Sequence, residues 1–170
     1  MFKLMIVLNV LLSAPAFCSG KIEKKLIPSS RISLEAKTQK EIVSVLESNE
    51  KLHSSFFEYD EAQVEANANE MIKKIQGITD NKISKLLAYS KKNLGDIKSS
   101  KTKKENNQSY HQVSMALIYI VNKYNVGNKY NAYSCPMVKK KWLQNSQKMA
   151  KVHNPYAPEM PHCGSQDSNH

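Results

Sequence analysis

The chain has 170 residues, of which 41% are hydrophobic and only five are glycine, and a formal net charge of +10. That length suggests one domain with a real core, and so few glycines argue against a phosphate-cradling loop. Among 25 basic residues only Arg31 is an arginine. Nucleic-acid readers lean on the forked guanidinium, so the lysines read instead as solvated surface or as attraction to an anionic envelope surface.

The first twenty residues have the parts of a secretory signal. Lys3 precedes an apolar run from Leu4 to Leu12, and Ala14, Pro15 and Ala16 offer a small-residue cleavage site. The run is too short for the roughly 20 residues of a spanning helix, and no later segment is apolar enough to cross a membrane. The expected organisation is a signal peptide over 1–20, a leader over 21–34, a helical domain over 35–165 and a tail over 166–170. An exported, periplasmic or secreted chain keeps its thiols where disulfides persist. Cleavage would remove Cys18 and leave Cys135 and Cys163.

Helical periodicity follows. A first helix is expected over 33–57, with Ile42, Val45, Leu46, Leu52 and Phe56 on one face and Asn49 and His53 on the same stripe. His53 reads as a satisfied core or boundary histidine. A second, over 61–77, carries Val64, Ala68, Met71, Ile72 and Ile75, with Asp80 as the next N-cap. A third runs over 81–98, and a loop or frayed end over 99–107 leads to a fourth over 108–124. That helix is the most apolar, with Tyr110, Val113, Leu117, Val121 and Tyr124 as its stripe. The acids gather early, eight against Lys51 between positions 41 and 70, and six lysines face Asp96 between positions 91 and 104.

No run alternates with period two, so the expected fold class is all-α. It is an antiparallel bundle of about four helices, with a short C-terminal helix over 139–149 that docks Trp142 and Leu143. A proline-rich tail, holding Pro155, Pro158 and Pro161, packs back on the bundle.

The chemistry gathers at 133–164. Cys135 and Met137 flank a proline, and Met160 and His162 repeat that spacing beside Cys163. In extended backbone residues i and i+2 point the same way, so soft sulfur donors can converge on one atom. Thiolate and thioether select monovalent copper and, by the same logic, silver; zinc would want four paired Cys or His ligands. The candidate metal ligands are Cys135, Met137, Met160, Cys163 and His162, with His111 and Met115, one turn apart on the fourth helix, as further candidates. The competing account is a Cys135–Cys163 disulfide across 28 residues, contributing roughly 3–4 kcal/mol and stapling the tail to the bundle. On the residues alone the two accounts stand level.

Four blocks in order, Cys135-Pro136-Met137, Trp142-Leu143, Asn154-Pro155-Tyr156 and Met160 with Cys163-Gly164, resemble a bacterial exported helical domain family of unknown function. Its members also sit at the C-terminus of periplasmic adaptor proteins in copper and silver efflux pumps. The resemblance implies a heavy-metal context, with copper(I) or silver(I) as the bound ion, Cys135, Met137, Met160 and Cys163 as ligands, and a heavy-metal efflux component or other envelope protein as partner. Trp142, Asn154, Pro155 and Tyr156 are then structural. Nothing points to an enzyme, since there is no nucleophile beside a base and no clustered carboxylate pair. The expected function is an exported soluble helical protein that buffers or delivers a soft metal ion. The alternative is a disulfide-stapled, non-catalytic protein-interaction module of the envelope.

Overall fold

The computed structural model describes residues 30–170; the expected signal peptide and most of the leader lie outside them. Four helices come first: α1 (Ala36–Glu58), α2 (Glu61–Gln76), α3 (Asn81–Gly95) and α4 (Lys103–Lys123). Each buries the stripe its periodicity announces. On α1 these are Ile42, Val45, Leu46, Asn49, Leu52, His53 and Phe56, recurring at the three- and four-residue steps of one helical face.

Side-chain caps set where three helices begin. Asp60 and Asp80 accept backbone N–H bonds from Gln63 and Ile83, each at 2.8 Å. Thr102 and Glu105 form a reciprocal capping box, which satisfies two otherwise orphaned donors. That box starts α4 five residues before the expected boundary of 108. The Thr-Lys-Lys-Glu spacing was its signal in the chain. Tyr59 closes α1 in the left-handed region, φ 39°, so the chain reverses into α2 through a two-residue joint. Connections this short make successive helices antiparallel. α1 also meets α4, where Phe56 stacks on Tyr110 with centroids 4.5 Å apart.

The C-terminal third overturns the all-α expectation. Residues 139–149 do not form a helix. Instead β1 (Tyr130–Cys135), β2 (Lys140–Asn145) and β3 (Ser165–Gln166) make an antiparallel sheet in the order β2-β1-β3. The register pairs Tyr133 with Trp142, Ala132 with Leu143 and Cys135 with Lys140. The physical reason is burial on both faces. β1 buries five of its six residues, and Trp142 through Asn145 are all buried, so no polar alternation marks the strands.

The sheet lies against α4. Trp142 is fully buried there, edge-on to Tyr156 and stacked with Tyr133. Burial of this residue matches the docking role expected of it, on a strand rather than a helix. The last residues are tied down too: Asp167 N–H donates to Ala132 O at 2.7 Å, and Ala132 N–H to Ser168 Oγ at 2.9 Å. At the other end Arg31 donates to the carbonyls of Val121 and Gly127. No helix among the described residues is long and apolar enough to cross a membrane.

Candidate functional site

Cys135 ends β1, and a turn through Pro136, Met137 and Val138 reverses the chain into β2. Lys139 completes the reversal in the left-handed region, φ 53°. Between β2 and β3 the chain makes a proline-rich arm built from consecutive turns. Met160 N–H donates to Ala157 O and Cys163 N–H to Met160 O, each at 2.9 Å. Asn154 organises the arm. Fully buried, it accepts from Tyr156 N–H at 3.0 Å, donates its side-chain amide to Cys163 O at 3.1 Å, and sends its own N–H to Pro161 O at 2.9 Å. Pro155 gives up no bond here, having no N–H to satisfy. Tyr156 reaches across to α4 and β2, sharing a hydrogen bond with Ser114 and donating to Lys141 O.

Gly164 then lets the arm close on β1. Its φ is +137°, and a Cβ there would meet Ser134 O at 2.6 Å and the Trp142 ring at 3.0 Å. Only glycine permits that approach. Ser165 pairs with Ser134 in the sheet, which delivers Cys163 to Cys135.

The two Sγ atoms are in direct contact, 2.6 Å apart. Cys135 is buried and Cys163 partly exposed. Burial works against a thiolate at Cys135, but the Cys163 thiol, the backbone N–H groups of Val138 and Met137, and Asn154 hold its pKa below the ordinary thiol value. Cys163 is pushed up, first by the hydrogen bond it gives to Cys135 and then by burial.

The other expected ligands are placed differently. Met137 points away into solvent, 68% exposed. Met160 is half-buried and His162 exposed, with His162 Nδ1 bonded to Val152 O at 2.7 Å. His111 Nδ1 lies against the backbone of Lys141, 3.2 Å from its carbonyl. His111 and the exposed Met115 share a cleft of about 550 Å³ with Cys135, whose other walls include Lys139, Lys140 and Lys141.

A soft ion does not fit this closed pair. Metal–thiolate bonds of about 2.3 Å hold two sulfurs roughly 3.7–4.6 Å apart around one ion, and sulfurs in contact leave no room between them. Lys139 and Lys140 at the mouth, neither of them ion-paired among the described residues, also oppose a cation. Among the described residues, no group of three or more His, Cys, Asp or Glu side chains is arranged to hold a metal.

One polar joint nearby had no signal in the sequence. His53, on α1, meets His153, at the start of the arm, with Nε2 and Nδ1 2.8 Å apart. No spacing rule could pair residues so distant in the chain.

Comparison with protein-family profiles, with curated proteins and with solved structures finds no match.

Proposed function

We propose that this chain is an exported, non-catalytic interaction module of the cell envelope, with a Cys135–Cys163 disulfide stapling its C-terminal arm to the helical layer. The contact between the two sulfurs carries the reading. An oxidising compartment converts such a thiol pair to a disulfide, and the bond would lock the turn after β1 to the arm that Gly164 seats. The remaining chemistry of the segment is structural. Asn154, Tyr156 and Trp142 are buried and hydrogen-bonded to one another's neighbours rather than presented to a substrate.

The soft-metal reading keeps one supporting observation, that Cys135, His111 and Met115 wall a single cleft. It requires the pair to be reduced and to open. Thiol labelling of protein purified from the envelope fraction under denaturing, non-reducing conditions separates the two. The staple predicts no reactive thiol and a mass two hydrogens below the reduced chain. Two reactive thiols, protected when monovalent copper is supplied anaerobically, would overturn the staple in favour of metal binding.

A further inference from the structure

Several carboxylates among the described residues are engaged by neighbouring groups of the fold. Glu41 holds the backbone and hydroxyl of Thr79. Glu50 accepts from Tyr130, Asn145 and Lys148. Glu65 holds Lys98 and Ser99; Glu70 pairs with Lys51, and Asp167 with Lys141. The positive surplus is thus left on the surface, and part of it lines one groove.

Along α4, Lys104, Gln108, His111 and Met115 follow at steps of four, three and four, one face of the helix. That face forms one wall of two adjoining clefts, of about 830 Å³ and 550 Å³, which meet at Lys140. The β1–β2 turn forms the other wall with Val138, Lys139 and Lys140. Among the described residues Lys103, Lys104, Lys139 and Lys140 make no ion pair. Burial lowers the Lys140 pKa, and its ammonium meets only the neutral Gln108 side chain. Two acids line the larger cleft; Glu105 is committed to the Thr102 capping box, which leaves Glu159. Met115 and Met137 stand exposed beside this groove, 42% and 68%, and offer adaptable apolar contact.

We infer that the groove between α4 and the β1–β2 turn docks an extended acidic segment of a partner protein, its carboxylates on Lys104, Lys139 and Lys140 and an apolar side chain against Met115. The inference rests on the interaction-module reading and names the surface and partner chemistry that reading lacks. Lysine rather than arginine suits it. Ammonium groups on flexible stems satisfy carboxylates at varied spacing, whereas phosphate recognition favours the planar fork. A concave groove with apolar stems along its floor fits a peptide better than a flat bilayer.

The test uses the mature chain, its thiol content measured on the same sample, and a fluorescein-labelled peptide of alternating glutamate and leucine. Anisotropy should show saturable binding that weakens with salt, and a glutamine–leucine peptide should bind ~10-fold more weakly or worse. K104Q/K139N/K140Q removes the three charges assigned to the peptide's carboxylates, with Asn tolerating the left-handed backbone at position 139. It should weaken binding of the acidic peptide ~10-fold. K73Q/K85Q/K91Q removes the same charge elsewhere and should change it less than ~2-fold. Equal losses in both triples would overturn the inference in favour of diffuse charge attraction. So would peptide that fails to bind while phosphatidylglycerol vesicles do. If the thiols prove free but the groove triple still loses the peptide, the staple falls and the docking surface stands.

Discussion

His53 and His153 share a hydrogen bond of 2.8 Å between Nε2 and Nδ1, inside the joint between α1 and the C-terminal arm. His53 is buried, and its Nδ1 has no partner. An N–H at Nδ1 would therefore be an orphaned buried donor, which assigns the proton to Nε2 and makes His153 Nδ1 the acceptor. His153 stacks on Phe57 with centroids 3.7 Å apart, so the bond is packed as well as polar.

That joint should be acid-sensitive. Burial, with the charge of His153 second, pushes the His53 pKa down to about 3, and Glu50 opposes this weakly. Burial and then His162 lower His153 as well, against Glu58. Both rings are neutral in the fold and protonate more readily in the unfolded chain. Above pH ~6.5 neither state binds the proton, and the pair makes no pH-dependent difference; below it the unfolded state gains protons first. Stability should fall by about 1.4 kcal/mol per pH unit for His53 as pH drops from 6.5 towards 3. Urea midpoints for wild type and H53Q check this. The glutamine amide can still donate to His153 but cannot titrate, so an equal acid loss in H53Q would refute the assignment.

Trp142→Ala should cost about 3–5 kcal/mol, because the indole is fully buried between the sheet, α4 and Tyr156. It also takes one donor from Gln144 Oε1, which accepts from the indole N–H at 3.3 Å and keeps the His153 N–H at 3.0 Å. A loss under ~1 kcal/mol in equilibrium denaturation would mean that the sheet is only tethered to the helices.

Gly164→Ala should destabilise the closure of the arm. The φ of +137° strains any Cβ-bearing residue, and the new atom meets backbone oxygen 2.6 Å away. Strain alone is about 1–3 kcal/mol. Hydrogen exchange should rise in 163–168 and at 132–134, where β3 and the chain after it are bonded. Unchanged protection there would show that another contact seats the arm.

Reducing the Cys135–Cys163 bond should lower stability by roughly 3–4 kcal/mol, and C135S/C163S should reproduce the loss. Exchange should rise first in the arm and β3, with α2 last to respond, since its caps are made within its own turns and its neighbours are α1 and α3. A variant as stable as the oxidised protein would refute the staple.

Thr102→Ala removes the hydroxyl's half of the capping box, its bonds with Glu105 N–H and the Glu105 carboxylate. It keeps the bond from its own backbone N–H and should cost about 0.5–2 kcal/mol. Because that turn of α4 carries Lys103 and Lys104, the same variant should also loosen the acidic-peptide groove. Full helix content by circular dichroism together with undiminished stability would contradict it.

The helices were legible because their causes are local. Ile42, Val45, Leu46, Leu52 and Phe56 sit within one helix at its own period, and Asp80 caps the helix that follows it by accepting from Ile83 N–H. Adjacent cysteines also follow from chemistry that either a disulfide or a metal demands. The stretch over 139–149 was not legible. Its lysines, glutamines and leucine are good helix formers, and Trp142 with Leu143 side by side give no alternation. What makes it a strand is Tyr133 and Ala132 across the ladder, a pairing set by burial on both faces rather than by any preference of the segment. The same holds for His53 with His153 and for Lys140 with α4. Composition placed the histidines and lysines in the chain; only the return of the arm and the turn of the hairpin decided which of them meet.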